Sequence, residues 1–137
     1  MNLPRPTDRL AGCVWLPRIV AKARLLAEGA LPGDYESRFC HASGVDGQFL
    51  AFFGLSRDNI VRAATLSDHE ITLWFQSLPL AANGGIEKWN AIAVNLGRPG
   101  FPMAERLPIA LSTTYKHLAH LKPETVFAAL EADEKTD

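Results

Sequence analysis

Residues 48–77, QFLAFFGLSRDNIVRAATLSDHEITLWFQS, decide the fold. Phe49, Leu50, Phe52 and Phe53 crowd into little more than one helical turn, and Gly54 follows where a left-handed residue closes a helix. Ser56 is placed to accept from the first backbone N–H groups of a second helix, in which Ile60, Val61 and Ala64 recur at helical spacing. Ser67 with Glu70 three places on reads as a capping box opening a third helix, with Ile71, Trp74 and Phe75 along one side. Three short helices, two caps and five aromatic residues in thirty positions describe a core and offer no chemistry.

Working toward the N-terminus, residues 31–47 form the least regular part, with the turn signal Pro32-Gly33 followed by Tyr35, Phe39, Cys40, His41, Ser43 and Gly44. A loop of that length in a small domain is a candidate binding loop. Before it, Ile19, Val20, Ala23, Leu26 and Ala27 recur at three and four after Pro17, so a helix over 17–28 is expected, ended by Gly29. Residues 1–12 hold two prolines and no apolar period, and are expected to be an extended arm.

Toward the C-terminus, Ile86, Trp89, Ile92, Ala93 and Leu96 describe a helix closed by Gly97, and RPGFP at 98–102 breaks the chain. Pro108 opens a helix whose Leu111, Tyr115, Leu118 and Leu121 face inward, and Pro123 separates it from a last helix with Val126, Phe127 and Leu130. Residues 133–137 are expected to be a frayed acidic tail. No strand pattern competes with these helices. The expected architecture is all-α: a single domain over 1–137, folded as an irregular bundle of six or seven mostly short helices.

Three blocks carry a resemblance: RPTDRLAGCVWLPRIVAKAR at 5–24, GVDGQFLAFFGLS at 44–56 and IEKWN at 86–90. On these the chain resembles a family of small bacterial proteins known only as a domain of unknown function. The resemblance implies a stand-alone helical domain. It implies no activity and carries over no catalytic residue.

Charge excludes some functions. A net charge of −1 argues against a nucleic-acid binder driven by phosphate contacts. The third central helix would repel phosphates as a reading helix, since it carries Asp68 and Glu70 and no Lys or Arg. No apolar run reaches the roughly 18 residues that span a bilayer, and the first residues lack a signal-peptide pattern, so a cytoplasmic protein is expected. The distribution is uneven: residues 1–27 carry +4 and residues 123–137 carry −4. These ends are either two solvated surfaces or a pair that attracts within one chain or across a homodimer.

The first candidate site is the basic side of the 17–28 helix. Arg18, Lys22 and Arg24, joined by Arg5 and Arg9 from the arm, offer donors to a carboxylate or phosphate, and Trp15 or Tyr35 offers a ring to stack. The ligand would be a small anion or an acidic protein segment. The plainer account is that this side pairs with Asp34, Glu36 or the acidic tail.

Cys40-His41 is a weaker candidate, because adjacent side chains diverge and a thiolate needs a base or cation aimed at it. His117 and His120 sit at i and i+3 without the Glu and further ligands that a metal centre needs. Trp89 lies on an apolar stripe and is expected in the core.

No cofactor, metal or catalytic residue is expected. The leading expectation is a non-enzymatic cytoplasmic helical binding or interaction domain. The alternative is a small enzyme or ligand-sensing protein with an anion-binding pocket between the first helix and the 31–47 loop.

Overall fold

The computed structural model describes residues 2–135. Among them run eight α-helices and one 3-10 helix, with a single two-stranded hairpin. The chain is helical, as the periodicity requires. It falls into two compact units, Met1–Trp89 and Asn90–Asp137, which are taken in turn.

The first unit departs from expectation at its start. Instead of an unpaired arm, β1 (Arg9–Leu10) pairs antiparallel with β2 (Cys13–Val14), Leu10 opposite Cys13. Ala11 and Gly12 turn the hairpin, both at positive φ, 57° and 77°. That is the twist a two-residue hairpin loop needs. Strands of two residues leave no period to detect.

α1 (Leu16–Ala27) takes Pro17 into its first turn and ends at Gly29. There the N–H of Gly29 reaches Leu26 O at 3.0 Å and that of Ala30 reaches Leu25 O at 2.8 Å, a Schellman closure. A four-residue helix, α2 (Gly33–Glu36), lies against α1 within the stretch expected to be loop.

The central stretch forms as its caps dictate. α3 (Val45–Phe53) begins three residues before Gln48 and is closed by Gly54 at φ 66°. α4 (Arg57–Ala63) and α5 (Asp68–Gln76) each open on a reciprocal capping box, Ser56 with Asn59 and Ser67 with Glu70. Asn59 is the partner that sequence inspection overlooked.

The core of this unit is aromatic. Phe49 stacks on Phe75 at 6.0 Å between centroids and meets the edge of Trp89 at 5.5 Å, while Phe53 meets Phe75 at 4.8 Å. Such pairs add about 0.5–1.5 kcal/mol each beyond burial. Trp89, on α6 (Gly85–Ala93), is buried as expected, and its Nε1–H donates to Val14 O at 3.0 Å. α1 supplies Leu16, Ile19, Val20 and Ala23 to the interior and packs on α4, whose Ile60 and Ala63 are buried.

In the second unit, the helix expected from Pro108 to Leu121 is two elements. α7 (Arg106–Ser112) stops at Thr113, which leaves helical geometry at φ −130°, ψ −95°. The hydroxyls of Ser112 and Thr113 both donate back to Ile109 O, at 2.9 and 2.7 Å, competing with the helical ladder. The chain resumes as a 3-10 helix, Lys116–Leu121. α8 (Val126–Lys135) then packs on it.

One further expectation is corrected here. Residues 133–135 belong to a helix and are not a frayed tail, with residues 136–137 outside the described residues. Two of the acids near the C-terminus have local partners: Glu124 accepts from Arg98 at 3.0 Å, and Asp133 lies 2.9 Å from His117 Nε2.

The capping box at α5 predicts a pH effect. The backbone N–H and hydroxyl of Ser67 hold the Glu70 carboxyl below its ordinary value of 4.5. The folded state therefore binds this proton less readily than the unfolded chain. The resulting stability is complete above the ordinary value and lost as pH falls through the lower folded one. NMR titration should place Glu70 below 4.5. Ser67→Ala, which keeps the backbone donor, should move it part of the way back. A wild-type midpoint at or above the ordinary value would refute the box.

Candidate functional site

Two of the residues proposed for an anion site, Trp15 and Lys22, meet a carboxylate that the chain itself supplies. Asp46, in the first turn of α3, lies 2% exposed between α1 and the loop that precedes α3. Lys22 Nζ donates to both of its oxygens, at 2.8 Å to Oδ1 and 2.7 Å to Oδ2. Trp15 Nε1–H donates to Oδ1 at 2.8 Å, and the backbone N–H of Cys40 to Oδ2 at 2.9 Å. Four donor contacts from three segments thus converge on one buried carboxylate.

Local structure explains how these groups arrive. Trp15 precedes α1 at φ 73°, a left-handed conformation unusual for a large side chain, and its backbone N–H is tied to Pro6 O at 3.1 Å. Cys40 is also left-handed, at φ 58°. Residues held there cost on the order of 1–3 kcal/mol each and persist where surroundings over-determine them. Both residues hydrogen-bond Asp46, which is the over-determination. Gly47 permits the loop to close: a Cβ there would stand 2.5 Å from the carbonyl oxygens of both His41 and Ala42.

The electrostatics are those of a closed set. Lys22 is 5% exposed and its ammonium lies 5.2 Å from the centre of the Trp15 ring. Burial pushes the Lys22 ammonium below the ordinary lysine range. Asp46 pulls it back up, and neighbouring Arg18 pushes it further down. Arg18, 2% exposed, lies 5.3 Å from the Trp15 ring centre and donates Nη1–H to Pro4 O at 3.0 Å, holding the N-terminal segment to α1.

Arg24 has partners of its own. Arg24 fastens the α4–α5 junction, donating to Ala64 O at 3.2 Å, Leu66 O at 2.8 Å and Asp68 Oδ1 at 3.1 Å. Tyr35 is half-buried on α2. The partner that sequence reasoning missed is Asp46 itself. Its signal was present: a lone acid flanked by Val45 and Gly47, ahead of an apolar run, at a helix start.

The cysteines and histidines are also accounted for. Both thiols are free. Burial raises the Cys13 thiol far above its usual range, and burial with the Asp46 charge pushes the Cys40 thiol up to about 12. Both shifts favour the thiol over the thiolate, the form a nucleophile or metal ligand requires. His41 Nδ1 accepts from the Ser43 N–H at 3.1 Å and lies 2.7 Å from its hydroxyl. Among the described residues, no group of three His, Cys, Asp or Glu side chains is placed to hold a metal ion.

Breaking the cluster from one side should be far worse than neutralising it. Asp46→Ala leaves a buried ammonium and two N–H donors without an acceptor and should cost about 3–5 kcal/mol. Lys22→Met with Asp46→Asn removes both charges and keeps one acceptor oxygen, which serves Trp15 or the Cys40 amide but not both, so it should recover part of that loss. Urea denaturation of the three proteins checks this. A double variant no more stable than Asp46→Ala would contradict it.

No curated protein matches this chain, and no solved structure does. The family model described as "Domain of unknown function (DUF5069)" matches residues 2–136. The resemblance carried by the three blocks is thereby a membership: the chain belongs to the DUF5069 family.

Proposed function

We infer that the protein is a non-enzymatic helical binding domain of the bacterial cytoplasm that acts through its surface on other macromolecules. One observation carries this reading. The groups on the first helix best suited to hold a small anion are already closed on the Asp46 carboxylate. A ligand between α1 and the loop would have to displace a buried carboxylate with four donor contacts, which disfavours the alternative of an anion pocket. The burial that raises both thiols also fits a packing role. Two free thiols suit a reducing compartment, and among the described residues no helix is long and apolar enough to cross a membrane.

A thermal-shift screen against phosphate, carboxylates, nucleotides, sugar phosphates and divalent metals tests the reading. A ligand at 100 times its Kd adds about 2.7 kcal/mol, enough to raise the midpoint by several degrees in a domain of this size. The expected result is no such shift. A rise of several degrees that Lys22→Met abolishes would restore the anion pocket. Sedimentation run beside the screen asks whether the binding partner is a second copy of the chain.

A further inference from the structure

Outside the Asp46 cluster, one pair of side chains has the geometry of a nucleophile and its base. In the loop ahead of α3, the Ser43 hydroxyl lies 2.7 Å from His41 Nδ1, within the reach that general-base catalysis needs. A second contact fixes the direction of the proton. The backbone N–H of Ser43 donates to the same nitrogen at 3.1 Å. An N–H can only donate, so Nδ1 carries no proton here and the hydroxyl is the donor in the shorter contact.

This arrangement sets Ser43 apart from the other five of the six serines. Ser37, Ser77 and Ser112 give their hydroxyls to main-chain carbonyls. Ser56 and Ser67 use theirs as helix caps. Ser43 alone gives its proton to a side-chain base, and it does so where solvent reaches, since His41 is exposed and Ser43 half-buried.

The chemistry of the base narrows the reaction. Among the described residues, the far nitrogen of His41, Nε2, has no hydrogen-bond partner. No carboxylate steadies an imidazolium, as the acid of a Ser-His-Asp set does. Such a base suffices only where the leaving group departs unaided, as it does from thioesters, acyl phosphates and aryl esters.

We propose that Ser43 is a site of covalent acylation by activated acyl donors of this kind, with His41 as its base. Ser43 Oγ forms a bond to the acyl carbon while Nδ1 takes the hydroxyl proton. The bond from that carbon to the leaving group breaks, and the thiolate, phosphate or phenolate departs with the electron pair. On gaining its proton Nδ1 releases the Ser43 N–H, which turns to water, and the imidazolium then gives the proton to solvent. The product is an ester on Ser43. This assignment goes beyond the reading of the chain as an interaction domain and does not rest on it.

The test is incubation with p-nitrophenyl acetate at neutral pH, with acetylated peptides located by mass spectrometry. Ser43 should gain an acetyl group at least about a hundred times faster than the exposed Ser37 and Ser56, and more slowly in deuterated than in ordinary water. His41→Asn keeps an oxygen for the N–H two residues on but supplies no base, and should slow the acetylation of Ser43 about a hundredfold. Acetylation of Ser43 no faster than that of Ser37 and Ser56, or unchanged in folded His41→Asn, overturns the assignment. Release of p-nitrophenolate beyond one equivalent per chain, lost in Ser43→Ala, would support the nucleophile and contradict the non-enzymatic reading.

Discussion

A buried carboxylate must be compensated, and the first unit is arranged around meeting that demand. Asp46 sits at the start of α3, so its position ties the aromatic helix to whatever donates to it. The donors come from the residue before α1, from the middle of α1 and from the loop ahead of α3. Moving any one of these segments would strand charge or a backbone N–H in the interior, at a cost of several kcal/mol. The left-handed Trp15 and Cys40 are tolerated because the same carboxylate holds both.

Around this polar knot the apolar interior does the ordinary work of burial. Phe49, one turn after Asp46 on α3, reaches Phe75 and Trp89, so one short helix carries both the ionic anchor and the centre of the aromatic cluster. Trp89 returns a hydrogen bond to Val14, at the end of the hairpin ahead of α1, which closes the unit from the other side. Arg24 completes the frame by satisfying carbonyl groups where α4 gives way to α5. Arg18, Lys22 and Arg24 on α1 thus act as fasteners within the unit.

Much of this was legible in the sequence, and the exceptions have physical causes. Caps announce themselves locally, so Ser56, Ser67 and Gly54 marked their helix ends correctly. The hairpin at Arg9–Val14 was not legible, because two-residue strands have no alternation to show. The break at Thr113 was hidden by an apolar spacing that continues through it. At the break the Ser112 and Thr113 hydroxyls turn back on Ile109 O. Among the candidate residues, Trp15 and Lys22 do converge on a carboxylate. That its owner was Asp46 depends on a contact 24 residues away from Lys22, which no local pattern encodes.

The central claim is that Asp46 holds the hairpin end, α1 and the loop as one cooperative body. Native-state hydrogen exchange reports this directly at the Trp15 indole N–H and the Cys40 amide, both bonded to that carboxylate. The account predicts that the two exchange together, through the same large opening that exposes the interior amides of α1 and α3. Exchange of the Cys40 amide at the rate of an exposed loop, with the α1 amides still protected, would show that the loop opens alone and would contradict it.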